Sequence, residues 1–158
     1  MELTGEYRIS APRETVWRAI LDPDMLRRCI PGCKELERTG DNAYAAKVQV
    51  KVGPVSATFS GSVELTDMEA PAGCRILGQG NGGIAGFAKG EAKVSLAEDG
   101  ADTILTYVAE AQIGGKLASL GGRLVQATAK KLSDQFFTAF AEALNAPAEA
   151  GPETSGTA

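Results

Sequence analysis

The sequence predicts an α+β fold in which a curved antiparallel sheet of about seven strands, in the order β-α-α-β6-α, wraps around a long C-terminal helix. Two observations carry this prediction. About a hundred residues show period-two alternation of apolar and polar side chains, broken at Gly-, Pro- and Asp-rich points, and no helical segment separates the runs after residue 33. Then Gly114-Gly115 leads into a Pro-free stretch where Leu117, Leu120, Leu124, Thr128, Leu132, Phe136, Phe140 and Leu144 recur at steps of three and four. That spacing places them on one face of a helix, and such a face needs an apolar surface to lie on. The preceding sheet is the only candidate.

The elements follow in order. Residues 2–9 alternate, with Leu3, Gly5, Tyr7 and Ile9 on one side and Glu2, Thr4, Glu6 and Arg8 on the other. Ser10 stands where a helix N-cap belongs, and Pro12 suits the first turn of a short helix carrying Val16, Trp17, Ile20 and Leu21. Asp22-Pro23 ends it, and Asp22 is placed to cap a second short helix with Met25, Leu26 and Ile30. Pro31-Gly32 stops that one. A meander follows: residues 33–39, 44–52, 55–65, 74–78, 88–96 and 103–113, with turns at Gly40–Asn42, Gly53-Pro54, Pro71–Gly73, Gly80–Gly83 and Glu98–Gly100. The domain is expected to occupy residues 1–144. Residues 145–158, rich in Ala, Pro, Gly, Glu, Ser and Thr, read as a disordered tail.

Composition excludes several classes of function. A chain of 158 residues with 44% hydrophobic side chains suits one soluble domain with a real core. Net charge is −4 without a long basic run, so nucleic acid is not an expected partner. No apolar run is long enough to span a bilayer, no signal peptide is evident, and a cytoplasmic location is expected. Cys29, Cys33 and Cys74 read as thiols. Histidine is absent, which removes a His base, a Ser-His-Asp triad and His-ligated zinc. No catalytic residue, metal site or cofactor is expected.

What remains is a cavity. Gly61, Gly78, Gly80, Gly82, Gly83, Gly86 and Gly90, with Ala57, Ala88, Ala92, Ala109 and Ala111, leave the sheet short of bulk. The expected lining is Val48, Val50, Phe59, Val63, Ile76, Phe87, Leu105, Tyr107, Leu117, Leu120 and Leu124. Glu64, Glu91 and Glu110 fall on the wetter face. The Gly80–Gly86 segment, with Gly32 and Gly53, is a candidate mouth.

Several segments are similar to one family. Leu3-Thr4-Gly5-Glu6-Tyr7, Ala11–Trp17, Ile30-Pro31-Gly32-Cys33, Val50–Pro54, the Gly80–Lys89 segment, Gly114–Leu117 and Leu120-Gly121 resemble the CoxG subunit of carbon monoxide dehydrogenase, within the START/polyketide-cyclase (SRPBCC) superfamily. The resemblance implies a helix-grip fold and a non-enzymatic accessory protein of a carbon monoxide dehydrogenase-type molybdenum hydroxylase. It would bind a lipophilic ligand, with an isoprenoid quinone as the candidate, and link the enzyme to the inner face of the membrane. Two alternatives stand beside this: a maturation or docking factor with an incidental cavity, and a polyketide cyclase or aromatase. Family members often carry an apolar or amphipathic C-terminal extension. The short tail here has no large apolar residue.

Overall fold

The computed structural model describes residues 1–145; the expected tail from residue 146 onward lies outside the described residues. The elements are β1 (Glu2–Ile9), α1 (Arg13–Leu21), α2 (Pro23–Cys29), β2 (Cys33–Gly40), β3 (Ala43–Val52), β4 (Val55–Glu69), β5 (Gly73–Asn81), β6 (Phe87–Asp99), β7 (Asp102–Gly114) and α3 (Gly122–Asn145). Short 3₁₀ turns span Gly83–Ala85 and Gly115–Leu120.

All seven strands form one curved antiparallel sheet in the order β1-β7-β6-β5-β4-β3-β2. Consecutive strands pair through short turns, except that β1 crosses to pair with β7, Glu2 facing Glu110 and Ile9 facing Thr103. The two small helices carry the chain from β1 at one edge to β2 at the other. Period two holds across the sheet. One row reads Leu36, Ala46, Gly61, Gly80, Ala88, Ile113, and the next row, on the opposite face, reads Glu37, Ala45, Ser62, Gln79, Lys89, Gln112.

Local chemistry sets the helix ends. The Asp22 carboxylate accepts from the Asp24 backbone N–H at 2.9 Å, and Pro23 occupies the first turn of α2, as the sequence predicts. Ser10 does not cap α1: Pro12 stands at the N-cap position with no side-chain bond, and the Ser10 backbone N–H donates to Asn145 Oδ1 at 3.0 Å. Asn145 is the last residue of α3. Buried Thr103 donates its hydroxyl to the Ala11 carbonyl at 2.7 Å, which fixes the path from β1 into α1.

The larger departure concerns α3. Leu117 and Leu120 lie on the 3₁₀ turn, not on the helix, because Gly121 at φ 97° breaks the path into α3. The same segment touches the β5–β6 turn: a Cβ on Gly115, at φ 73°, would stand 2.6 Å from the Gly86 Cα. Only two glycines let these loops meet.

The main core lies between the sheet and α3. Phe140, Ile9, Leu105 and Val16 are fully buried, with Trp17, Leu65, Val94 and Leu96 around them. A second apolar cluster of Val52, Val55, Ala85 and Leu117 sits at the β3–β4 turn end, with Val50, Ala57, Phe59, Ile113 and Leu120 packed against it.

Candidate ligand cavity

Between α3 and the sheet lies an apolar cavity of about 340 Å³. Its floor is the middle of the sheet: Ala46 and Val48 from β3, Phe59, Gly61, Val63 and Leu65 from β4, Ile76 and Gly80 from β5, Val94 from β6 and Leu105 from β7. Phe136 and Phe137 of α3 roof it, and Ile20, Leu26 and Ile30 from the two small helices close one side. The volume has a simple origin. In the row Ala46-Gly61-Gly80-Ala88 four adjacent strands present no side chain larger than a methyl toward the helix. Close packing would need bulk there, and the sequence supplies none.

Polar chemistry is scarce in the lining. Among the described residues Tyr44 is its one titratable side chain, and its hydroxyl is already committed: it donates to the Leu21 carbonyl at 2.6 Å and accepts from Arg38 at 3.3 Å. Arg38 also lies 5.7 Å over the Tyr44 ring. Ser62 and Gln79 border the cavity, although period two turns their side chains to the opposite face. No Asp, Glu, Lys or Arg among the described residues lines it.

An aromatic stack stands behind the roof. Phe137 stacks on Tyr7 at 4.5 Å and on Tyr107 at 5.5 Å between ring centroids. The Tyr7 hydroxyl donates to Asp134 Oδ1 at 2.6 Å, and the Tyr107 hydroxyl shares a proton with Ser133 Oγ at 2.7 Å. These two bonds pin α3 to β1 and β7. Burial and the neighbouring Asp134 carboxylate push the Tyr7 phenol well above its ordinary value, and the same bond holds Asp134 below the usual carboxylate range. Gly5 makes room for the stack, since a Cβ there would overlap the Tyr107 ring.

The structure distributes the expected lining residues over several places. Val48, Phe59, Val63, Ile76 and Leu105 line the cavity. Val50, Leu117 and Leu120 belong to the second apolar cluster, toward the β3–β4 turn. Leu124 is half-exposed on the first turn of α3, close to Gly53. Tyr107 is buried beside the roof and bonded to Ser133. Phe87 is 48% exposed on the opposite face, its ring over Gly114, because it shares its row with Lys47, Ser60 and Asn81. The expected lining omits Leu36, Tyr44, Ala46, Leu65 and Val94 of the sheet, and Ile20, Leu26 and Ile30, which the sequence places on the apolar faces of the small helices. It also missed Phe137, which stands beside the periodic Phe136.

Fold and cavity together define a START-type helix-grip protein. A solved aromatase/cyclase, Zhui from Streptomyces sp. R1128, shares the fold at a TM-score of 0.69 and 14% identity, covering 95% of this chain and 96% of that one. A START superfamily protein from Mycobacterium smegmatis shares it at 0.67 and 16%, with 90% and 96% covered. A conserved protein from Geobacillus kaustophilus is more similar, with a TM-score of 0.85 and 32% identity over 91% of this chain and 95% of that one. The profile of the carbon monoxide dehydrogenase CoxG subunit matches residues 5–145, and the chain belongs to that family. Among curated proteins none matches the sequence.

Proposed function

We propose that this chain is a non-enzymatic carrier of a lipophilic ligand, serving a molybdenum hydroxylase of the carbon monoxide dehydrogenase type and linking it to the membrane. The observation that carries the reading is the composition of the cavity: aliphatic and aromatic walls, no free acid or base among the described residues, and a lone phenol already bonded at both lone pair and proton. General acid–base chemistry needs a titratable group aimed at the substrate. Binding an apolar molecule needs only a shaped, dry space. The likeness to an aromatase/cyclase is a likeness of fold, and the chemistry of this lining favours carriage over cyclisation.

Size narrows the ligand. The volume of about 340 Å³ lies near the lower end of the ~300–1,000 Å³ common for small-molecule sites. It suits a planar ring head group and the first units of a branched tail. An isoprenoid quinone has this shape, and it would couple an oxidoreductase to a membrane electron-transport chain. Native mass spectrometry after mild extraction tests the proposal: the expected result is a co-purifying or added quinone of stoichiometric mass. Protein recovered empty, with no mass shift on adding menaquinone or ubiquinone analogues, overturns it.

A further inference from the structure

Among the described residues, the three connections at one end of the sheet carry no acidic side chain, although the starts of β1 and β2 bring Glu2 and Glu35 toward that end. In a meander, alternate turns fall at opposite ends of the sheet. The β2–β3, β4–β5 and β6–β7 turns carry Asp41, then Asp67 and Glu69, then Glu98, Asp99 and Asp102. The β3–β4 turn, the β5–β6 turn and the connection from β7 to α3 carry none. Residues 42–63, 70–90 and 111–133, which run into that second end, hold eight of the chain's 16 Lys and Arg and none of its 20 Asp and Glu; of the eight, Arg75 sits at the first end, paired with Asp67 and Glu91. In a chain of net charge −4 this is a strong separation of charge. Of these cations, Lys51, Lys116 and Arg123 flank the turns themselves. All three are exposed, and among the described residues none has an acidic partner within 4.0 Å.

The same end presents apolar side chains to solvent. Ile84 is 92% exposed at the tip of the β5–β6 turn. The turn is closed by its own bonds, Gly82 N–H to the Gly86 carbonyl at 2.8 Å, Gly86 N–H to the Gly83 carbonyl at 3.1 Å and Gly83 N–H to Asn81 Oδ1 at 2.8 Å. An isoleucine held outward on an ordered turn is not explained by packing. Half-exposed Phe87 follows it on the same hairpin, on the outer face of the sheet, and half-exposed Leu124 of α3 lies beside Gly53 of the β3–β4 turn. On the helix-facing side of the sheet, the second apolar cluster continues the greasy floor of the cavity out to this end, the two sharing Phe59.

We propose that this end is a docking surface for an anionic phospholipid bilayer, with Ile84 entering the interface and Lys51, Lys116 and Arg123 meeting the head groups. The proposal rests on the carrier reading, because a ligand of the membrane must be exchanged there. It places the contact on the folded domain, without recourse to the C-terminal tail. Neither signal suffices alone: one apolar side chain gives marginal partition, and it takes a basic patch beside it to hold a protein at the interface.

Flotation of the full chain with vesicles tests it, comparing phosphatidylglycerol–phosphatidylcholine with phosphatidylcholine alone. Binding is expected only to the anionic vesicles, and it should fade with added salt. Ile84→Asp and the double variant Lys116→Glu/Arg123→Glu should each weaken it about tenfold or more. Arg18→Glu, a charge reversal on α1, should not. In Ile84→Trp, emission should shift to the blue on anionic vesicles, over the constant signal of buried Trp17. Binding that is absent, equal on both vesicles, or equally reduced by Arg18→Glu overturns the proposal. So does a result in which the double variant loses only a complex with the hydroxylase, which would make this a protein-docking surface. Quinone binding in solution, read by native mass spectrometry, separates the two ideas. Its survival in Ile84→Asp with vesicle binding lost upholds both, and its absence from wild type with vesicle binding intact overturns only the carrier reading.

Discussion

Filling the cavity should make the protein more stable and less able to bind. Gly80 is the place to do it. A Cβ there meets nothing nearer than 3.9 Å, so a leucine side chain can start without backbone movement and project over the space left by Gly61 and Ala88. Burying a leucine side chain contributes roughly 1.5–3 kcal/mol, and replacing a strand glycine removes a further ~0.5–1 kcal/mol of unfolded-chain entropy. Ordering the new side chain costs about 0.5–1 kcal/mol, and imperfect fit takes more. A net gain of about 1–2 kcal/mol is expected, seen as a melting temperature higher by about 3–6 °C in a domain of this size. Scanning calorimetry of ligand-free protein measures the first effect and native mass spectrometry with added quinone the second. Gly61→Leu is the contrast: its Cβ would stand 2.9 Å from the Gln79 carbonyl oxygen, the backbone must shift, and stability should fall. A Gly80→Leu protein that melts lower than wild type, or that melts higher and binds ligand unchanged, refutes the argument that this space is both empty and used.

Phe140 is fully buried where α3 meets the sheet, so Phe140→Ala should cost about 3–5 kcal/mol in urea unfolding. The Tyr7 phenol is raised above its ordinary value of 10.0, so its contribution is complete below pH 10.0 and is lost as pH climbs past it. Urea midpoints for wild type should therefore fall across that alkaline range, and Tyr7→Phe should flatten the fall. The Asp134 carboxylate is held low, so its share is present at neutral pH and lost on acidification below the usual carboxylate range; Asp134→Asn should flatten the acid limb of the same profile. Burial pushes the thiols of Cys29, Cys33 and Cys74 up, and only Cys33 is partly exposed. Intact-mass analysis after brief alkylation at neutral pH should show one slow adduct in native protein and three in denaturant.

The fold was legible because its signals are local and repeated. The run Val55–Leu65 alternates without interruption, and the turns around it hold Gly, Pro or Asp, so strand and turn each announce themselves. Asp22-Pro23 similarly marks the start of α2 by side-chain chemistry confined to three residues. The cavity was legible only on the sheet, where face follows from parity. It was not legible where lining depends on how elements meet. Phe87 is a separate case: it has the right residue type but the wrong parity, since its neighbour Ala88 faces the helix, and that much was readable from the sequence. Leu117 and Leu120 keep helical spacing across a break that Gly121 makes. Ile20, Leu26 and Ile30 enter the lining because Pro31-Gly32 folds the small helices back against the sheet, a long-range consequence that periodicity does not report.

The pairing of β1 with β7 has a consequence for how the chain is made. Among the described strands Glu2–Ile9 is synthesised before the others, yet its hydrogen-bonding partner, Thr103–Glu110, comes last. Until then a nascent first strand with Leu3, Tyr7 and Ile9 on one side waits unpaired, while the meander β2–β6 assembles from neighbours. Loop closure over that separation is slow. Alternation with Glu2, Glu6 and Arg8 keeps the waiting segment charged on its other side, which is how an orphan strand stays out of the wrong sheet.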